Sequence, residues 1–222
     1  MLISSIVGLE SRSTLDVDAT IKNYPLTIES ALQIVNDIAA IPLEDGITFQ
    51  VKNASNIMDE ADYSGVRVTL NAFLETMRTP LKLDLSTGDV ITPHEVSYPL
   101  KLMFEERVIS LLAYTMETVL AEKLECILSR GVTNTRMRDF YDLVILQTAE
   151  IDRKTLSQAF WSTCQKRESG DVVKEGLQTL TEVEDSTYMK NLWSDYQQKF
   201  SYAKTIEWNR AVAAARNLYM QV

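Results

Sequence analysis

The sequence predicts an α+β protein with its strands first and its helices last, and three observations carry that expectation. Segments in which apolar and polar residues alternate, the period of a half-exposed strand, are confined to the first half. From Arg138 onward the apolar spacing is helical. No internal repeat or low-complexity tract interrupts this order, so a mixed-sheet core over residues 1–110 and a helical domain over residues 111–222 are expected.

Leu15-Asp16-Val17-Asp18-Ala19 alternates apolar and acidic residues and reads as a strand. Thr27 is placed to cap a helix whose Ile28, Ala31, Leu32, Val35 and Ile38 share one face, and Pro42 stops it. Ile47–Val51 and Val66–Phe73 read as further strands, the second with Val66, Val68 and Leu70 alternating with Arg67, Thr69 and Asn71. Leu81-Lys82-Leu83-Asp84-Leu85 alternates again and ends in the turn Ser86–Asp89. A short apolar segment, Val108–Ala113, leads to Thr115, which caps a helix running to Gly131. Beyond Arg138, Leu143, Leu146 and Ile151 follow one helical face and Leu156, Phe160 and Cys164 another. Gly170–Ser186 reads as a polar break, with Gly170–Gly176 as the internal hinge, before a last helical stretch from Thr187 to Gln221. The three Trp and several Tyr of this half read as bundle core.

Composition excludes several chemistries. With 222 residues, 45% hydrophobic and 24% charged, the chain has enough apolar mass for a real core. Its 7 glycines are too widely spaced for a P-loop or a dinucleotide-binding fingerprint. One His and 2 Cys cannot build H-E-x-x-H or a four-cysteine zinc site. The lone His94 reads as a loop bystander, and Cys126 and Cys164 as reduced thiols packed as small hydrophobes. The net charge of −9 opposes extended nucleic-acid contact, so phosphate or metal chemistry would rest on carboxylates, Lys and Arg. No stretch approaches the ~18 apolar residues of a membrane span. The first residues lack the basic start of a signal peptide, so a cytoplasmic protein is expected.

The acidic residues are the informative ones. Positions i and i+2 of a strand share a face, so Asp16 and Asp18 lie side by side and need solvent or a cation between them. One D-x-D alone is commonly a solvated strand edge; a second strand displaying Lys82 and Asp84 away from its leucines changes the weighing. Were the two strands adjacent, Asp16, Asp18 and Asp84 would form a three-carboxylate site for hard divalent cations carrying substrate phosphates. On the capped helix, Lys123 and Arg130 share a face, either reaching one anionic ligand or lying over apolar surface. In Arg136-Met137-Arg138-Asp139-Phe140-Tyr141-Asp142, the charges could equally form helix ion pairs, Arg136 with Asp139 and Arg138 with Asp142.

Four blocks occur in order: Arg12-Ser13-Thr14-Leu15-Asp16-Val17-Asp18; Lys82-Leu83-Asp84-Leu85; Thr115 to Leu124, with its E-x-x-x-A-E-K-L; and Arg136 to Leu143, with its R-x-x-D-x-Y-D. Together they resemble the AbiEii family of nucleotidyltransferase-like toxins from bacterial abortive-infection and type IV toxin–antitoxin systems, over residues 1 to about 165. The resemblance implies a polymerase-β-like nucleotidyltransferase core with a helical C-terminal part. It also implies catalytic roles for Asp16, Asp18, Asp84, Lys123 and Asp139, with the first three holding two Mg²⁺ ions, or Mn²⁺ in their place. Arg12, Thr14, Lys82, Lys123, Arg136 and Asp142 would bind the nucleotide. The implied partners are an NTP, an RNA (a tRNA among them) or protein acceptor, and a cognate antitoxin, with no membrane.

The match departs from the family at one place. Members usually carry a Gly-Gly pair just before the segment that begins here with Met1, where backbone N–H groups approach the triphosphate. The expectation is therefore a chain lacking that N-terminal segment. The alternative it raises is a catalytically silent member that acts by binding an antitoxin.

Overall fold

The computed structural model describes residues 2–8, 16–57, 65–102 and 106–222. The chain forms two compact units: one runs from the first strand to Asp89, and the other combines α1 (Leu2–Val7) with Val90–Val222. The fold class is α+β, a mixed sheet followed by a helical half.

The first unit holds β1 (Asp16–Ile21), α2 (Ile28–Ala39), β2 (Thr48–Ile57), β3 (Gly65–Leu74) and β4 (Met77–Thr87). The sheet order is β1-β4-β3-β2, with β1 parallel to β4 and β3 antiparallel to both β4 and β2. Thr27 starts α2 through a reciprocal cap. Its hydroxyl accepts the Ser30 N–H at 3.1 Å, and the Ser30 hydroxyl accepts the Thr27 N–H at 2.8 Å. Such a cap stabilises a helix by about 1 kcal/mol. The helix buries Ala31 and Val35 against Val66, Val68 and Leu85, which all stand on one face of the sheet. The polar partners in the alternation are thereby committed to the opposite face.

Two strands outrun their sequence signal. β2 continues to Ile57 through Lys-Asn-Ala-Ser-Asn, poor strand formers, because a register shift at Val51/Asn53 lets the ladder with β3 resume. β4 starts at Met77, opposite Leu74, so its first residues are set by the tight turn from β3 rather than by alternation.

After α1, the second unit continues with a hairpin of β5 (Val96–Lys101) and β6 (Val108–Ala113). Pro99 concealed β5 from sequence reading, yet a strand paired on one side tolerates proline. The helices are α3 (Met116–Arg130), α4 (Met137–Ile145), α5 (Arg153–Lys166), α6 (Gly170–Val173), α7 (Gly176–Asp185), α8 (Thr187–Lys199) and α9 (Trp208–Tyr219). Thr115 caps α3 by accepting the Thr118 N–H at 3.2 Å, and Gly131 ends it at φ 50°, a conformation that favours glycine. The core gathers Leu124, Ile127, Phe140, Phe160, Trp193 and Trp208. The Phe140 and Trp208 rings lie 5.0 Å apart. Trp161, by contrast, is exposed.

The expected polar break at 170–186 is instead structured. α7 buries Leu180 and Val183 completely, because its apolar residues three apart meet α9. The expected hinge is a packed corner. The Tyr219 hydroxyl donates to the Val173 and Lys174 carbonyls at 3.0 and 3.1 Å, and its ring packs closely against Gly176. Cys126 and Cys164 are free and buried. Burial pushes both thiols above their ordinary range, Cys164 up to about 11. Among the described residues, no helix is long and apolar enough to cross a membrane.

Candidate active site

The sheet unit places two strands of carboxylates side by side. In the parallel β1–β4 ladder Asp16 stands opposite Lys82, Asp18 opposite Asp84 and Thr20 opposite Ser86. The polar faces of the two strands therefore coincide, as the adjacent-strand arrangement requires. On the far side of β4, Arg67 of β3 stands opposite Asp84. Its Nε donates to Asp84 Oδ1 at 2.7 Å and its Nη2 to Oδ2 at 2.5 Å, a two-pronged charge-assisted contact. Two residues beyond Asp18 and Asp84 on the same face, the Thr20 and Ser86 hydroxyls both donate to Asp89 Oδ2, at 2.7 and 2.6 Å. A further carboxylate is thus tied to the end of the same face.

Whether these residues suit divalent cations is decided by donor chemistry and by what already sits there. Carboxylate oxygens are the donors Mg²⁺ prefers. The guanidinium against Asp84 shows that this position accepts positive charge. The donor type of Asp18 and Asp84 suits such a cation, with the condition that Arg67 holds both oxygens of Asp84. Among the described residues, no three His, Cys, Asp or Glu side chains converge as a metal-binding group.

The helical unit builds a different arrangement. Leu120, Leu124 and Ile127 of α3 point into the core, and Lys123 beside them faces α4. Asp139 and Asp142, three residues apart on α4, share the face that meets it. The Lys123 Nζ donates to Asp139 Oδ1 at 2.5 Å and lies 2.7 Å from Asp142 Oδ2. Burial works against the ammonium charge. The two carboxylates outweigh it and hold the Lys123 pKa above the usual lysine range. Asp142 is fully buried.

The sequence-predicted residues thus fall into two groups. Asp16, Asp18, Lys82 and Asp84 share the β1–β4 ladder, and Lys123, Asp139 and Asp142 meet between α3 and α4. Arg12 and Thr14 lie outside the described residues. Arg136 sits at the N-terminus of α4, where its N–H donates to the Asn134 side chain at 2.8 Å. Arg138 lies over the Phe200 ring, 5.6 Å from its centroid. His94 is exposed, its Nδ1 2.8 Å from the Glu95 carbonyl oxygen. Sequence reasoning missed Arg67 and Asp89. Alternation along Val66–Phe73 does place Arg67 on the polar face, but its partner depends on strand order. Asp89 lies beyond the strand, in what reads as a turn.

These features define a class: an α+β protein with in-register acidic strands on its sheet, followed by a helical half with a buried Lys–Asp–Asp cluster. The family described as "Nucleotidyl transferase AbiEii toxin, Type IV TA system" matches residues 1–215. The chain belongs to that family of toxin nucleotidyltransferases, and the type IV toxin–antitoxin grouping implies an antitoxin partner. Among solved structures it is similar to JHP933 from Helicobacter pylori, at 16% identity and a TM-score of 0.45, over 99% of this chain and 82% of that one. A second H. pylori protein, provisionally described as a nucleotidyltransferase, is similar at 16% identity and a TM-score of 0.42, over 96% and 83%. No curated protein matches the chain.

Proposed function

We propose that the protein is a metal-dependent nucleotidyltransferase toxin that transfers a nucleotide from an NTP to a cellular RNA, such as a tRNA, or to a protein. The observation that carries this reading is the parallel register of Asp18 with Asp84, in a chain of this family. In this reading Asp16, Asp18 and Asp84 hold two Mg²⁺ ions, and Mn²⁺ would serve the same oxygens. Bound there, the ions supply charge neutralisation at the α-phosphate and the leaving pyrophosphate.

The chain's own residues supply position. Asp18 and Asp84 hold the reacting end against a rigid ladder, where sub-ångström placement matters most. Lys82, exposed on the same face, offers a cation to the triphosphate, and Arg12 and Thr14, which precede β1 in the sequence, are assigned to the nucleotide by the family resemblance alone. Lys123 is spent between Asp139 and Asp142, so these three act first by fixing α3 against α4. Arg136, at the mouth of α4, is the other nucleotide contact of this reading.

The test is labelling. Cell extract incubated with each labelled NTP, Mg²⁺ and the protein should yield a labelled macromolecule, and Asp16→Ala and Asp84→Asn should abolish it while circular dichroism is unchanged. Labelling that persists in both variants would remove the assigned chemistry. The alternative, a silent member that acts through antitoxin binding, predicts no Asp84-dependent binding of Mg²⁺ or NTP by calorimetry. Arg67 on Asp84 is the observation that keeps this alternative in view.

A further inference from the structure

We propose that Arg67 is an exchangeable internal cation of the carboxylate site: it holds Asp84 while no divalent cation is present, and passes its guanidinium to substrate phosphate when one arrives. The proposal rests on the nucleotidyltransferase reading above and adds to it a residue and an order of events.

Three observations and one general property of guanidinium support it. Arg67 engages both oxygens of Asp84, so a divalent cation at Asp84 must compete with it. The register places Arg67 directly across from Asp84, and Asp18 directly across on the other side, so Asp84 lies between a cation and a carboxylate. The pair is partly open, with 39% of the Arg67 side chain and 17% of that of Asp84 exposed, so exchange needs a rotamer change rather than unfolding. Finally, the planar fork that grips a carboxylate grips a phosphate in the same two-pronged way. A guanidinium released by metal is therefore already aimed at the kind of ligand the metal carries. Metal and nucleotide would then each favour the other's binding, since such coupling is reciprocal.

The experiment uses the whole chain and two probes, Mn²⁺ alone and a non-hydrolysable NTP analogue at saturating Mg²⁺, each titrated by calorimetry. Arg67→Gln should bind Mn²⁺ about fivefold more tightly, by losing a half-open competing contact, and bind the Mg²⁺-analogue about fivefold more weakly. Lys82→Gln removes the same charge from the same face without touching Asp84, and should leave Mn²⁺ affinity within about twofold. In the unsubstituted protein, the Arg67 Nε–H resonance should shift as Mg²⁺ is added, a measurement independent of how any variant folds. Unchanged or weaker Mn²⁺ binding in Arg67→Gln overturns the proposal. So does an equal gain in Lys82→Gln, or an Arg67 signal that ignores Mg²⁺. Mn²⁺ binding that survives Asp84→Asn would instead overturn the metal reading beneath it.

Discussion

In the sheet unit Arg67 meets Asp84 with 39% and 17% of their side chains exposed. In the helical unit Lys123 meets Asp139 and Asp142 with 14%, 13% and 0% exposed. Both are cations held by carboxylates at hydrogen-bonding distance, and distance alone would call them alike. Their surroundings separate them. Water at Arg67 screens the attraction and offers the guanidinium an alternative, so this half-open pair is worth about 1 kcal/mol, the upper end for exposed pairs. Lys123 and Asp142 are closed off from water, and breaking a buried ion pair costs about 3–5 kcal/mol; Asp139 stays beside Lys123, so the loss of Asp142 falls at the lower end of that range. An open contact is suited to exchange with a ligand. A closed one is suited to locking helices.

The sharpest way to break this contrast is to remove Asp142. Asp142→Ala leaves Lys123 with Asp139 alone and should lower the unfolding free energy by about 3 kcal/mol in urea titration. A loss under about 1 kcal/mol would place the cluster with the exposed pairs and end the distinction.

Proton linkage tests the same cluster from another side. The folded-state pKa of Lys123 is raised, so its stabilisation is complete below the unfolded lysine value of about 10.4 and is lost as pH rises through the higher folded value. The stability difference between the natural chain and Lys123→Met should therefore stay level from neutral pH to about 10 and narrow above it. A difference that already narrows near pH 8 would contradict the assignment of that charge.

How much of this was legible in the sequence differs between the units for a physical reason. The acidic face of the sheet was readable because strand alternation fixes which face a residue takes, and Val66, Leu83 and Leu85 declare the buried side. The α2 and α3 caps were readable because Thr27 and Thr115 act within one turn. Pairing between elements was not readable. That Arg67 meets Asp84, or that Lys123 meets Asp139 and Asp142, depends on strand order and helix packing, which no local pattern encodes. The stretch from Gly170 to Ser186 was misread for the same reason: its polar composition hides Leu180 and Val183, which matter only once α9 lies beside them.

That stretch supplies the next prediction. A Cβ at Gly176 would come within 2.6 Å of the Tyr219 ring, which its own hydroxyl fastens to the Val173 and Lys174 carbonyls. Gly176→Ala should cost about 1–3 kcal/mol through this overpacking, and Tyr219→Leu in the same chain should recover part of it. A true hinge would tolerate the alanine or gain from its stiffness, and a thermal melt of the two variants decides between these outcomes.

The smallest effect carries the most about function. Arg67→Ala should change the unfolding free energy by less than about 1 kcal/mol, and the change should shrink further as salt is raised. The loss in Asp142→Ala should hardly move with salt, because its charges lie where ions do not reach. Asp84→Asn should likewise leave stability within about 1 kcal/mol while nucleotide transfer is lost. Such a result would show that the sheet's acidic face contributes little to folding. Carboxylates set level on neighbouring strands repel one another, and a chain that gains no stability from them has reason to keep them only for a ligand. If Arg67→Ala instead proves as costly as Asp142→Ala, the guanidinium is a structural clamp, and Asp84 is committed to the fold rather than open to a cation.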